Sequence, residues 1–179
     1  MKKWICGLLA LALIFALGAC GGNESGGETA PTQTGDDGKG SVDGYLFETG
    51  ELTVAADAKV APILEKLGEP LQYFEAASCA FNGLDKNYIY AHFEIDTYPA
   101  ADGDRVMAVY LMDDLVSTKE GLRIGDTKEE MERLYGTDYT LNGTEYIYEK
   151  GGMSLKVQIK KDAVSYITYA SEVLGKARQ

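Results

Sequence analysis

The sequence of 179 residues is poor in the residue types on which many functional sites depend. It has one histidine, three cysteines, four prolines and one tryptophan. Lysine and arginine number 17 against 28 aspartate and glutamate residues, which gives a formal net charge of −11 at pH 7. A nucleic-acid-binding surface needs clustered positive charge, so this composition argues against DNA or RNA as a partner. It also argues against attachment to anionic lipid through a basic patch.

The positions of the three cysteines do not indicate a disulfide framework. Cys6 lies in the apolar N-terminal segment, Cys20 directly follows that segment, and Cys79 stands alone in the rest of the chain. Beyond residue 20 a single cysteine remains, so that part of the chain cannot hold a structural zinc site built on thiolates, which needs four nitrogen or sulfur ligands. We expect Cys79 to be a small buried apolar residue. The alternative is a reactive thiol, which is disfavoured because no basic residue lies near it in the sequence to stabilise a thiolate.

The chain begins with a short basic and apolar segment. Two lysines precede an apolar run over residues 5–17, which is too short to span a bilayer as a stable helix. The sequence Leu17-Gly18-Ala19-Cys20 at its end resembles the lipobox of bacterial lipoproteins. The resemblance implies cleavage after Ala19, a diacylglyceryl thioether on Cys20, and anchoring to the cell membrane by acyl chains, with the protein facing outside the cytoplasm. The alternative is an ordinary secretory signal with a cysteine at the cleavage site.

Residues 20–44 are rich in glycine and acidic residues and have almost nothing to bury. Such a stretch cannot offset the entropy of ordering, so we expect a flexible tether with an r.m.s. span of about 25–30 Å. Patterned sequence begins at Tyr45, and residues 45–179 have the length of one ordinary domain. The predicted organisation is a signal peptide over residues 1–19, a lipid-anchored tether over 20–44, and one domain over 45–179.

The first part of the domain, about residues 50–118, has the pattern of a helix followed by strands. Four apolar residues at i, i+3, i+4 and i+7 follow Asp57, and Gly68 then ends the pattern, which predicts a helix between them. Alternating, aromatic and β-branched stretches predict three antiparallel strands. These strands are Tyr73–Phe81, Tyr88–Tyr98 and Arg105–Leu115.

The second part, about residues 122–171, repeats this order. Its predicted helix begins after Asp126, with Thr127 and Glu130 as a capping box, and ends at Gly136. The three predicted strands are Glu145–Glu149, Met153–Lys161 and Ala163–Ser171. We therefore predict an α+β fold in which two tandem units, each a helix plus an antiparallel meander, share one sheet with both helices on one face. The alternative is a single mixed domain in which the repeat is coincidental.

Two groups of known proteins have a similar arrangement. The chain resembles envelope lipoproteins related to BamE and the tandem-repeat fold of the β-lactamase inhibitory protein. The resemblance rests on the helix starts at Asp57 and Asp126, the helix ends at Gly68 and Gly136, and the hairpin turns near Asp104 and Asp162. The resemblance covers about residues 50–171 and implies two units joined edge to edge, with one sheet face uncovered. It implies the scaffold only, because the inhibitor family carries two disulfides that this chain cannot form.

The predicted strand Tyr88–Tyr98 alternates cleanly between apolar and polar residues. We expect its apolar side to face the helices and its other side to join tyrosines of neighbouring strands on the open sheet face. The residues of this predicted binding surface are Tyr88, Tyr90, His92, Tyr110 and Tyr166, flanked by Lys156 and Lys160. Tyrosine is enriched at recognition surfaces. The alternative is that the rings only stabilise a solvated face by pairing across strands.

No motif in the sequence indicates catalysis. A nucleophilic pair of Cys79 and His92 would need a third group to orient the imidazole, and the acidic pairs at 102–104 and 113–114 lack the spacing of a calcium loop. We therefore predict a lipid-anchored binding or adaptor protein without enzymatic activity, metal or cofactor. Its predicted partner is an envelope or extracellular protein or peptide. The alternative is a receptor for a small molecule or a cell-wall fragment.

The predicted core consists of apolar residues at inward positions of these elements. These residues are Ile63, Leu67, Phe93, Val109, Leu134, Val157 and Ile167.

Overall fold

The structure is a computed structural model that describes residues 43–173. The predicted signal peptide, Cys20 and nearly all of the predicted tether lie outside the described residues. Within the described residues, two short helices, an eight-stranded antiparallel sheet and a separate two-stranded hairpin confirm the predicted α+β class. In chain order the elements are β1 (Leu46–Thr49), β2 (Leu52–Ala55), α1 (Ala61–Leu67), β3 (Gln72–Ala77), β4 (Leu84–Ile89), β5 (Phe93–Tyr98), β6 (Arg105–Leu111), α2 (Lys128–Tyr135), β7 (Thr140–Asn142), β8 (Glu145–Lys150), β9 (Met153–Lys160) and β10 (Ala163–Ser171).

The strands of the large sheet lie in the order β3-β4-β5-β6-β10-β9-β8-β7. Each helix therefore precedes four consecutive strands that form a meander, and the last strands of the two meanders, β6 and β10, pair antiparallel at the centre. The predicted count of three strands in each half is wrong, because β4 and β7 each add one. The β1–β2 hairpin was also not anticipated.

Equivalent backbone bonds tie the chain before each helix to the last strand of the same half. The amide of Val106 donates to the carbonyl of Ala58 at 2.8 Å, and the amide of Val164 donates to the carbonyl of Asp126 at 2.7 Å. A β-bulge follows each of these two valines. The hairpin turn at Lys161 and Asp162, where both residues have positive φ, is as predicted.

One apolar core cluster joins the helices and the small hairpin to one face of the large sheet, which we call the inner face. Phe47 of β1 packs on Phe93 of β5 with ring centroids 5.0 Å apart. Most of the predicted core is fully buried, and Leu67 and Leu134 are partly buried against the same cluster. The buried members of the predicted set are Ile63, Phe93, Val109, Val157 and Ile167.

The predicted continuous strand over residues 88–98 is wrong. It is a hairpin in which the amide of Tyr90 donates to the carbonyl of Phe93 at 2.9 Å, so that Ala91 and His92 form a two-residue turn. Neither turn residue has a positive φ. The turn therefore needs no glycine or asparagine, and its sequence carries no turn signal.

The two predicted helix starts have different outcomes. In α2, the Thr127 side chain accepts from the Glu130 amide, as the capping box predicts. In α1, the predicted start at Asp57 is wrong, because the helix begins at Ala61 without a side-chain cap. Asp57 instead has a φ of 67° and accepts a hydrogen bond from the Tyr98 hydroxyl, so a tertiary contact fixes its position.

Candidate binding face of the sheet

The five residues of the predicted binding surface do not share one face. Tyr88 lies directly opposite Ile95, a fully buried residue of the inner face, and residues paired in this way point to the same side of a sheet. Tyr90 stacks on Phe93 with ring centroids 5.1 Å apart, and both tyrosines pack against the core cluster. The placement of Tyr88 and Tyr90 on the open face is therefore wrong, because the unrecognised turn reversed the alternation on which it rested.

His92 also lies off the open face, in the β4–β5 turn. Its Nδ1 atom is 2.7 Å from a carboxylate oxygen of Asp113, and both side chains are partly exposed. This hydrogen bond lowers the pKa of Asp113 below its ordinary value of 3.8. Asp113 also accepts from the Leu115 amide at 2.9 Å, so the pair joins the β4–β5 turn to the segment that follows β6.

Tyr110 and Tyr166 do lie together on the face opposite the helices, which we call the outer face. Their ring centroids are 5.8 Å apart. Tyr110 is half-buried, while Tyr166 has 41% of its surface exposed. Burial, followed by the nearby Asp96 carboxylate, raises the pKa of Tyr110, and burial followed by Glu94 raises that of Tyr166. Both hydroxyls are therefore neutral hydrogen-bonding groups at physiological pH.

A groove of about 420 Å³ runs over the outer face beside these two rings. It is lined only by residues of β6, β8, β9 and β10 and by Glu172. Small side chains occupy the outer-face positions next to the tyrosines. Thr168 lies opposite Tyr110, and Ala170 lies opposite Ala108, where β10 pairs with β6. The outer positions of adjacent strands thus combine a low floor with one aromatic wall, which the two neighbouring tyrosine rings form together. The residues of this floor are Ala108, Ser154, Thr168 and Ala170.

The groove is predominantly acidic. Glu145, Glu149 and Glu172 line it, and Lys156 is the single basic residue among its lining residues. Glu94, which lies opposite Tyr110 on β5, adds negative charge nearby. Carboxylates beside aromatic faces favour cationic groups through charge-assisted hydrogen bonds and cation–π contacts. The arrangement therefore suits a positively charged ligand. The sequence did not reveal this charge, because none of the residues predicted for the binding surface is a glutamate.

A smaller groove of about 320 Å³ lies over β3, β4 and β5 and shares Met107 as a boundary with the first region. Asn87 lies among its lining residues and donates to the carboxylates of Glu94 and Asp96. The amide thereby holds two acidic side chains of β5 in place. Asn87 lies between the predicted strands Tyr73–Phe81 and Tyr88–Tyr98, so the sequence did not indicate this position.

The remaining candidates for chemistry are separated. Cys79 is exposed in the β3–β4 connection, so its predicted burial is wrong. It lies at the opposite end of β4 from His92, so a nucleophilic pair of the two does not form. Asp102 is paired with Lys59 and Arg105, and Asp104 with Lys86. Across residues 43–173, no group of three acidic, histidine or cysteine side chains is placed to hold a metal ion.

Neither helix of the described region is long and apolar enough to cross a bilayer. Comparison of the chain with protein-family models, curated proteins and solved structures gave no match. The resemblances to lipoproteins and to the tandem-repeat fold therefore stay predictions.

Proposed function

We propose that this chain is a lipid-anchored extracytoplasmic binding protein that recognises an extended, positively charged peptide or protein segment in the outer-face groove. The observation that carries the binding part is the groove itself, in which Tyr110 and Tyr166 stand beside a row of small side chains. Rigid aromatic side chains around a desolvated floor are typical of the residues that dominate binding energy.

The charge of the groove supports the choice of partner. Three carboxylates against one ammonium among the lining residues favour lysine or arginine side chains. An extended segment suits the shape, because the residues that line the groove are spread over the four adjacent strands β6, β10, β9 and β8. Alternate residues of an extended segment point to one side, so lysine side chains could meet the carboxylates at every second position.

The anchoring part of the proposal rests on the sequence Leu17-Gly18-Ala19-Cys20 and on the tether that follows it. An acyl anchor on Cys20 would hold the domain outside the membrane, and the acidic composition keeps the domain away from anionic lipid. The binding face would then meet partners in the envelope or outside the cell. Catalysis forms no part of the proposed role.

We also propose that the two halves of the domain are tandem units with a common plan. Each consists of a helix and a four-stranded meander, and each ties the segment before its helix to the start of its last strand. The bulges that follow Val106 and Val164 support the same equivalence. Two such units joined through β6 and β10 give a sheet broad enough for a groove that neither half would form alone.

Fluorescence anisotropy with labelled octapeptides tests the binding role. We expect the full chain in detergent to bind a peptide that alternates lysine with leucine more tightly than its glutamate counterpart. The Tyr110→Ala/Tyr166→Ala double variant should weaken the lysine peptide by about tenfold or more, since aromatic anchors typically contribute above 1 kcal/mol. Glu149→Lys should weaken it as well, with a smaller dependence on salt than the wild type.

Tyr73→Ala is the matched control, because Tyr73 is an exposed tyrosine on the inner side of β3. It should leave peptide affinity unchanged. Equal binding of the lysine and glutamate peptides would contradict the proposed charge preference. A loss of affinity in Tyr73→Ala but not in the double variant would place the peptide outside the groove.

A further inference from the structure

The strand β3 forms one edge of the large sheet, and all six of its residues are exposed. Natural sheets protect such edges with lysine, proline, bulges or very short strands. The opposite edge, β7, has only three residues. In contrast, β3 is regular along its pairing with β4, and its sequence QYFEAA contains no lysine or proline and only one charge, Glu75.

The edge is also apolar. Leu71 just before the strand is 72% exposed, Phe74 is 56% exposed and Tyr73 is 45% exposed. Leu84, which lies opposite Ala77 on β4, is 40% exposed. Four large apolar side chains at one sheet edge, next to backbone groups that have no strand beyond them in residues 43–173, favour an added strand.

The hydrogen-bonding register identifies the backbone groups that are free. The amide of Ser78 donates to the carbonyl of Gly83, its direct partner on β4. Residues at every second position from Ser78 therefore bond to β4, because hydrogen-bonded pairs alternate along antiparallel strands. Tyr73, Glu75 and Ala77 lie between those positions, so their amides and carbonyls point outward from the sheet.

We propose that β3 pairs antiparallel with β3 of a second copy of this chain, with Phe74 facing Phe74 on the two-fold axis. This register sets Tyr73 opposite Glu75 of the second copy, and both residues have outward-pointing backbone groups. The two Tyr–Glu pairs would then make four backbone hydrogen bonds across the interface. Tyr73 already donates its hydroxyl to Glu75 within one chain at 2.5 Å, so the same two groups are complementary across the axis.

The side chains favour this register over its neighbours. A shift of the two-fold axis to Glu75 would set the two carboxylates opposite each other, which is destabilising. A shift to Tyr73 would set Glu75 opposite Leu71. In the proposed register Leu71 instead meets Ala77 of the second copy, beside its Leu84, so the two most exposed leucines of this edge lose contact with water.

The size of the contact predicts a weak dimer. Stable protein interfaces bury about 1,200–2,000 Å², and a single pair of six-residue strands falls below that range. We therefore expect association that depends on concentration, with a two-fold arrangement that continues the helix-covered face of one sheet into the other. The interface lies at the edge of the sheet and leaves the groove beside Tyr110 open.

Disulfide trapping tests whether the partner is a second copy of this chain and whether the two β3 strands pair in the proposed register. The full chain is expressed in membranes with Cys79→Ser, and Phe74→Cys is added at the two-fold axis. Oxidation should convert most of this variant into a reducible species of twice the mass, because directly opposed residues of a non-hydrogen-bonded pair lie within reach of a disulfide. The matched control is Ala76→Cys, which should remain monomeric, because the two Ala76 positions would lie about 14 Å apart.

Sedimentation equilibrium of the detergent-solubilised chain provides a second readout. The dimer fraction should rise with concentration, and Phe74→Lys should weaken association at least tenfold by setting two positive charges against each other. Equal trapping through Ala76→Cys would overturn the register. A disulfide-linked species of another mass would contradict the proposal that the partner is a second copy of this chain. A monomer at every concentration, together with no disulfide trapping through Phe74→Cys, would contradict it as well.

Discussion

At the scale of single residues, the sheet face on which a side chain lies determines how much its removal lowers the free energy of unfolding. Phe93 packs on Phe47 and Tyr90 within the core, whereas Tyr110 pairs with Tyr166 on the outer face. The two residues lie on neighbouring strands of the same sheet. They therefore provide a comparison in which strand, sheet and residue class are similar and the face differs.

We predict that Phe93→Ala lowers the free energy of unfolding by about 3–5 kcal/mol, as is usual for loss of a buried aromatic ring. Tyr110→Ala should cost about 1 kcal/mol or less, the usual scale of one cross-strand pair. Urea denaturation of both variants measures the difference. Equal losses would mean that the outer face is covered as fully as the inner one.

Asp102 provides a residue-scale prediction about pH. Hydrogen bonds from Arg105 and Lys59 lower its pKa from an ordinary 3.8 to about 2. Because the folded-state pKa is the lower one, the stabilisation by this carboxylate is complete above pH 3.8 and is lost as the pH falls toward 2. Arg105→Gln should raise the pKa of Asp102, which NMR titration of the carboxyl carbon would detect.

Lys119→Gln is the control for this titration, because Lys119 pairs with Glu48 rather than with Asp102. The titration curve of Asp102 in the Lys119→Gln variant should match the curve of Asp102 in the wild type. An unchanged pKa in Arg105→Gln would show that Lys59 alone determines the ionisation of this carboxylate. Asp102 is solvent-exposed, so its effect is expected in the titration curve rather than in a large change of stability.

At the scale of elements, local signals in the sequence predicted those parts of the fold that depend on local contacts. The capping box of α2 and the Lys161–Asp162 turn each involve neighbours in the chain, and the structure contains both. The start of α1 could not be read in this way. The segment before α1 is held by two hydrogen bonds, one from the Val106 amide to the Ala58 carbonyl and one from the Tyr98 hydroxyl to the Asp57 carboxylate. Each of them joins residues about 40 or more positions apart in the sequence.

The residues of the candidate site were predicted correctly only where the strands that carry them were predicted correctly. The placement of Tyr110 and Tyr166 on one sheet face followed from strand patterns that the structure retains in β6 and β10. Tyr88 and Tyr90 were misplaced because a two-residue turn with ordinary φ values interrupts an otherwise regular alternation. Side chains alternate between the two faces residue by residue, so a missed turn assigns one of the two strands that it joins to the wrong face. Here that strand is β4, which precedes the turn, and the predicted surface was divided.

The cap of α2 gives a prediction for an element. Thr127→Ala removes the acceptor for the Glu130 amide and should lower the free energy of unfolding by about 1 kcal/mol. Thr127→Ser keeps a hydroxyl at the same position and should retain most of the stability. Thermal or urea denaturation compares the two variants. Equal losses in both would indicate that the methyl group of Thr127, rather than the cap, stabilises this end of the helix.

At the scale of the whole molecule, the proposed plan separates anchoring from recognition. The described domain places its apolar groups in one core beneath the helices and leaves the groove on the opposite face. Residues 43–173 belong to one compact unit. A domain of this kind should keep its fold when the predicted tether is removed, because residues 45–169 supply the core cluster that the structure describes within residues 43–173.

Limited proteolysis tests this division. We predict that protease cleaves the chain first within residues 21–44 and leaves a resistant fragment that begins near Tyr45. The fragment should unfold with the same midpoint as the longer chain, since a flexible tether contributes no packing. A lower midpoint or a loss of cooperativity in the fragment would show that the segment before Tyr45 belongs to the folded domain.

The anchor itself leads to the last prediction. If Cys20 carries the lipid, Cys20→Ser should remove the thiol that forms the thioether, and the protein should leave the membrane fraction or stay unprocessed. The change should be large rather than graded, because one acyl chain gives only marginal membrane binding and stable attachment needs two signals. Metabolic labelling with a fatty-acid analogue measures acylation, and Cys79→Ser is the matched control that should label like the wild type. Equal labelling of Cys20→Ser and the wild type would contradict the lipoprotein assignment, and the domain would then have to reach its partners without this membrane attachment.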